Sequence, residues 1–205
     1  MQNLSFLRQK RNKNTIILCT GIFIGFFFSS LLYFLLWLLE TEEPKQTRNW
    51  SRHLENEFIP LNVPLDEELQ QNIYYLAHSY DLEFTLIMGL IQQESGFDET
   101  IISNTKDWGL MQINEINHEW LAETLQIKNF LNPYQNIQAG MYILADLFKK
   151  YKNPHAVLMA YNLGETGAKR LWEQNIYSTK YSKAILKNQK TFQAYLKKTK
   201  TTKDH

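Results

Sequence analysis

The sequence predicts a mostly α-helical domain preceded by one N-terminal transmembrane helix. Three observations predict it. Thr15 to Leu39 contains no charged residue. From Asp66 onward, apolar residues recur at three- and four-residue steps, the period of a helix with one buried face. Strand-like alternation is nearly absent. At 205 residues, the chain has room for one domain and its accessories.

Residues 1–14 carry Arg8, Lys10, Arg11 and Lys13 and no acid. As a helix, the uncharged run 15–39 would span roughly 37 Å at about 1.5 Å per residue, enough to cross a hydrocarbon core of about 30 Å with some tilt. Glu40, Glu42 and Glu43 follow it. Positive-inside bias therefore places the N-terminus in the cytoplasm and everything after residue 40 outside, in a single-pass cell-membrane protein. The run is too long for a signal-peptide core, and no A-x-A-like site ends it, so it reads as an uncleaved signal-anchor in contact with the lipid bilayer. Cys19, the one cysteine, lies within the run. That excludes an intrachain disulfide, and Ile16, Ile17 and Leu18 before it do not make a lipoprotein site.

Residues 40–65 read as an extracytoplasmic linker, charged and holding Pro44, Pro60 and Pro64. The folded domain is expected over 66–190, about 125 residues and long enough for a real core. Asp66, Glu67 and Glu68 suit the positive end of a helix carrying Leu69, Ile73, Leu76, Ala77 and Tyr80. Asp81 to Thr85 breaks it. Leu86, Ile87, Leu90 and Ile91 mark a second helix that reaches Glu94 and stops near Gly96, a good left-handed cap. Glu99 to Lys106 is polar and without a stripe. Ala139 to Tyr151 is helical again, and His155–Tyr161 and Gly167–Gln174 read as two short helices. Residues 191–205 form a basic tail, with Lys197, Lys198, Lys200 and Lys203 against Asp204.

Charge and composition narrow the function. The net charge is +1, and residues 66–190 hold fifteen acids and eleven bases. No basic stripe interleaved with aromatics crosses this body, which argues against nucleic acid. The histidines at 53, 78, 118, 155 and 205 show no ligand spacing, so no metal is expected. No nucleotide loop is found, and no cofactor is implied.

One stretch carries chemistry. In IQQESGF, Ile91 to Phe97, a greasy helix ends in Glu94. A carboxylate held there would be partly withheld from water, which raises its pKa and keeps it protonated near neutrality. That is what a general acid for glycosidic cleavage requires. An exposed helix-end glutamate would look the same in isolation. The runs downstream change the balance: DWGLMQIN (Asp107 to Asn114), NPYQNIQAGMYIL (Asn132 to Leu144), MAYNLG (Met159 to Gly164) and YSTKYSKAI (Tyr177 to Ile185).

With these in order, the sequence resembles the transglycosylase SLT domain family of lysozyme-like peptidoglycan lytic transglycosylases. The family's ES pair, GLMQ run, NI-x-x-G helix and AYN run match Glu94-Ser95, Gly109 to Gln112, Asn136-Ile137-x-x-Gly140 and Ala160 to Asn162. The likeness covers roughly Leu76 to Leu186. It implies a lysozyme-like α fold and a substrate of peptidoglycan glycan strands, cut at the MurNAc–GlcNAc β-1,4 bond to leave 1,6-anhydro ends. It also implies roles: Glu94 as the single catalytic acid/base, Tyr181 steadying it, and Ser103, Gln112, Tyr161 and Asn162 on the substrate.

Asp107 and Trp108 depart from the small residues many members carry before GLMQ. The run D-aromatic-G-x-x-Q-I-N also resembles animal-type lysozymes, in which the aspartate is a second carboxylate. Asp107 therefore keeps a hydrolytic muramidase open. Two further readings stay open: an inactive glycan-binding anchor, and a wall-opening enzyme serving envelope, conjugation or secretion machinery.

Overall fold

The computed structural model describes residues 58–203. The expected basic segment 1–14, the transmembrane helix 15–39 and the linker as far as residue 57 lie outside the described residues. Among the described residues, no helix is long and apolar enough to cross a membrane.

The first helix, α1 (Glu67–Ser79), starts where the acids predicted: the Asp66 carboxylate accepts from the Leu69 N–H at 2.6 Å, satisfying a donor the helix itself leaves open. Its inner face buries Leu69, Gln70, Ile73 and Ala77. Gln70 corrects the linker boundary. Its amide accepts from Leu61 N and donates to the Leu61 and Leu65 carbonyls. This irregular backbone thus gets partners without a ladder, and Leu61 and Leu65 enter the core. Residues 58–65 therefore belong to the packed domain, and their two prolines mark an ordered irregular segment.

The central helix is α2 (Phe84–Glu94). Every residue from Phe84 to Ile91 is buried, as expected of a helix apolar all round. Four further elements follow: a short antiparallel ribbon, β1 (Asp107–Trp108) with β2 (Ile113–Asn114); a 3-10 turn, Glu115–Asn117; and α3 (His118–Leu125). Sequence reading placed no element over α3 or the ribbon. Two-residue strands cannot display alternation, and α3 buries only Leu121.

Next come α4 (Pro133–Tyr151) and α5 (Pro154–Glu173). The first begins six residues ahead of the predicted Ala139. Asn132 caps it by accepting from Gln135 N, with Pro133 at the first turn, a favoured pairing. The two short helices expected beyond are the halves of α5, broken at Gly164, whose φ of 69° and ψ of 160° leave the helical region.

The last helix, α6 (Lys180–Lys203), corrects the expected tail. It runs unbroken through residue 190 because Phe192 and Leu196 pack against the core beside Tyr181 and Ile185. These apolar positions fall on one face at steps of four and seven. It lies antiparallel along α2 at very close range. A Cβ on Gly89 would sit 3.0 Å from the Ile185 carbonyl and 3.1 Å from Gln189 N, so glycine sets that approach.

Candidate active site

Glu94 is the last residue of α2. Behind it, Ser95 closes the helix: its N–H and its hydroxyl both donate to the Ile91 carbonyl, and its Oγ accepts from Phe97 N. Gly96 follows in the left-handed region at φ 59°, so the chain turns away and leaves the carboxylate at the helix tip. The Tyr181 hydroxyl, from α6, donates to Glu94 Oε1. Burial pushes the Glu94 pKa up to about 7. Tyr181 pulls it partly back, and the Asp107 charge pushes it further up. Desolvation of the charged form thus dominates, as the greasy helix implied. Burial also pushes the Tyr181 hydroxyl well above its ordinary range, and Glu94's charge adds to that. It therefore stays protonated and able to donate.

Asp107 has the opposite surroundings. Partial burial pulls its pKa up, but hydrogen bonds from Thr105, Asn114 and Ser103 outweigh that and hold it below the usual value. Asn114 Nδ2 donates to Oδ1 at 2.7 Å, and the Ser103 and Thr105 hydroxyls donate to Oδ2 at 2.8 and 2.5 Å. The ribbon register pairs Asp107 with Asn114 directly, which delivers that amide.

The turn between the strands is clamped from both sides. Asn136, fully buried, accepts from Met111 N at 2.8 Å and donates to the carbonyls of Trp108 and Phe130. Tyr161 donates its hydroxyl to the Met111 carbonyl at 2.9 Å. Gly109 stands at φ 70° against the Asn136 amide, where a Cβ would meet its nitrogen at 2.6 Å. Gln112 Nε2 bonds the Gly109 carbonyl at 2.9 Å, so this amide helps hold the turn that presents it.

A groove of about 760 Å³ runs past these groups. Glu94, Asp107, Gln112, Tyr161 and Asn162 line it, so five expected site residues share one cavity. Ser103 and Tyr181 stand behind the lining, one on each carboxylate. Ser103 was expected on the substrate. Here its hydroxyl is engaged with Asp107 and Thr105. Sequence reasoning missed Trp120 and Tyr142, which also line the groove with ring centroids 6.1 Å apart. It also missed Asn114, Thr105 and Asn136 as positioning groups. Asn114 and Asn136 stood inside the motif runs, which was a usable signal; Trp120 sits on the unrecognised α3. Among the described residues, no group of three or more His, Cys, Asp or Glu is arranged to hold a metal ion.

Comparison with known proteins gives the family and the fold. The family described as transglycosylase SLT domain matches residues 71–185, more than half of the chain. The chain belongs to the transglycosylase SLT domain family. Among curated relatives, it is 30% identical over 89 residues to a transglycosylase of Enterobacteria phage PRD1, covering 43% of this chain and 32% of that protein. It is 29% identical over 116 residues to membrane-bound lytic murein transglycosylase C of Pectobacterium atrosepticum, covering 48% and 32%. Among solved structures, the fold matches an inactive mutant of the lytic transglycosylase Slt from Pseudomonas aeruginosa. Its TM-score is 0.55 at 18% identity, over 65% of this chain and 25% of that one. The 70 kDa soluble lytic transglycosylase of Escherichia coli matches at TM-score 0.55 and 20% identity, over 70% and 26%. This SLT chain thus spans about a third of the length of these curated relatives and shares the mostly helical fold of the solved ones.

Proposed function

We propose that the protein is a membrane-anchored peptidoglycan lytic transglycosylase that cleaves the MurNAc–GlcNAc β-1,4 bond with Glu94 as its single acid/base. One observation carries this reading: a carboxyl with its pKa raised to about 7, hydrogen-bonded by Tyr181, lining a groove of about 760 Å³. Protonated Glu94 gives its proton to the glycosidic oxygen as the C1–O bond breaks, and the sugar acquires oxocarbenium character. The resulting carboxylate takes the proton of the same sugar's C6 hydroxyl, whose oxygen bonds C1. No water is consumed, and the product ends in a 1,6-anhydro ring. A pKa near the working pH suits a group that must first donate and then accept.

Asp107 supports a second reading, hydrolysis with two carboxylates, because it lines the same groove. Its hydrogen bonds favour the first. Both oxygens already accept from neutral donors, which makes it a poorer nucleophile and a steadier negative charge beside the developing cation. Mass analysis of muropeptides released from purified sacculi separates the two. The proposed reaction gives ends one water lighter than the hydrolytic product; reducing ends would favour the muramidase.

The membrane anchor rests on the uncharged run 15–39 and its flanking charges. A relative named as membrane-bound adds support. Reporter fusions after residue 65 are expected to be active only outside the cytoplasm. Activity only inside would overturn the topology.

A further inference from the structure

The outer face of α6 is strongly basic. The 24-residue helix holds no acid. At 100° per residue, Lys180, Lys183, Lys187, Lys190, Lys197 and Lys198 fall within a stripe about 100° wide. All six are exposed. Among the described residues, the ion pairs involve only Lys106 and Lys150 among the lysines. A merely solvated helix face usually alternates signs and gains from Glu–Lys pairs. Here the neighbours at three- and four-residue steps repel one another, which costs helix stability unless counter-charge arrives from outside. The inner face is committed elsewhere: Tyr181 to Glu94, Ile185 and Phe192 to the core.

The position of the stripe narrows its partner. Phe58, the first described residue, packs on Phe84 with ring centroids 6.0 Å apart. Glu83, beside Phe84, accepts from Gln189 Nε2 at 2.9 Å and Gln193 Nε2 at 3.0 Å. The chain therefore enters the domain against the second half of α6. The eleven residues of α2 then separate Phe84 from Glu94, about 16 Å of helix. The lysine stripe runs the length of α6, from Lys180 beside Tyr181 to Lys198. Its second half lies at the end where the chain enters, and the catalytic carboxyl stands at the other end of α2. The residues between Leu39 and Phe58 could reach at most about 60 Å fully extended.

We propose that the lysine stripe of α6 docks the domain on the anionic surface of the bilayer that holds residues 15–39. This rests on the anchored reading given above. The stripe is straight and about 30 Å long, the shape of a line of contact with a plane. Ala194 lies between the lysines, and the exposed Tyr195 beside it is a single ring, without the series of aromatics or amides that sugar or base recognition would use. Docked through this face, the domain keeps Glu94 at the α2 end remote from the tether.

The test uses the full chain, with Cys19→Ser and a dye at Ala194→Cys, reconstituted in vesicles holding headgroup-quencher lipid. With about 40% phosphatidylglycerol, the dye is expected to be quenched. Neutral vesicles, or about 0.5 M salt, should remove most of that quenching. So should the combined Lys183→Gln, Lys187→Gln, Lys190→Gln and Lys197→Gln variant, which should still digest solubilised glycan at the parent rate. Flotation distinguishes the two readings. A chain that floats with neutral vesicles is anchored; equal quenching on neutral lipid, no quenching on anionic lipid, or quenching that survives the lysine variant would then overturn the docking proposal alone. Flotation with anionic vesicles only, lost in the lysine variant, would support docking while the anchor reading fails. Flotation with neither would overturn both. Lysine-dependent binding of soluble DNA without lipid quenching would also overturn it and assign the stripe to a soluble polyanion.

Discussion

Glu94 and Asp107 share one groove and one chemistry, yet their surroundings push them in opposite directions. Glu94 ends a helix buried from Phe84 to Ile91 and receives one hydroxyl. Asp107 sits on a two-residue strand, where three neutral donors bond its two oxygens. The first is pushed to about 7, and the second is held low. The difference teaches that the number of donors, set against the water removed, sorts two carboxyls into acid and anion. The ionised partner also helps keep its neighbour protonated.

The largest effect that can break this contrast is Glu94→Gln. The amide keeps the shape and can still accept from Tyr181, but it cannot donate the proton or take one back. Sacculus digestion should fall by at least the 10²–10⁴-fold typical of a general acid. The same substitution should stabilise the fold in a pH-dependent way. Because the folded pKa lies above the unfolded one, ionised Glu94 carries a penalty that is absent below about 4.5. The penalty grows as pH rises towards about 7 and is constant above that. It is worth roughly 3 kcal/mol at its plateau. Thermal unfolding across pH 4 to 8 should show the variant's advantage open along that range. A constant difference would leave the desolvation argument without support.

Tyr181→Phe comes next. Losing one hydrogen bond to a reacting group should slow turnover by about 10- to 100-fold, equivalent to about 1.5–3 kcal/mol. Because that bond lowers the Glu94 pKa, the alkaline limb of the pH–rate profile should move to higher pH. An unchanged rate would leave Tyr181 as a packing ring only. Asp107→Asn should shift the limb the other way, since it removes the charge that raises Glu94. It should leave the product ends unaltered. Reducing ends in the parent enzyme, with all turnover lost in the variant, would instead make Asp107 the nucleophile. Ser103→Ala removes one of three donors to Asp107 and should cost less than tenfold in the same assay, with the limb nearly in place.

Much of this contrast was legible in the sequence because apolar periodicity and helix caps are local. Leu86 to Ile91 announced a buried helix, Gly96 its end, and therefore a carboxyl withheld from water. The environment of Asp107 was not legible. Its donors arrive from a ribbon register and a loop, and two-residue strands leave no alternation to read. The role of Asn136 depends on a turn 25 residues earlier, a contact that neither propensity nor pattern encodes. The last helix was hidden by composition: its lysines read as a tail, while Ile185, Phe192 and Leu196 were spaced to bind the core. Likewise Pro60 and Pro64 suggested a linker, because the buried side chain of Gln70 that organises this segment lies in the following helix.

The ionisation of Glu94 in the folded protein decides whether this helix end is an acid. Carbon-13 labelling of glutamate side chains, with Glu94→Gln used to assign the resonance, would follow its carboxyl directly through a pH titration. A midpoint near 7, shifting downward in Asp107→Asn and upward in Tyr181→Phe, is the predicted result. A midpoint near the ordinary glutamate value of about 4.3, indifferent to both substitutions, would contradict the claim that the helix tip makes this residue an acid.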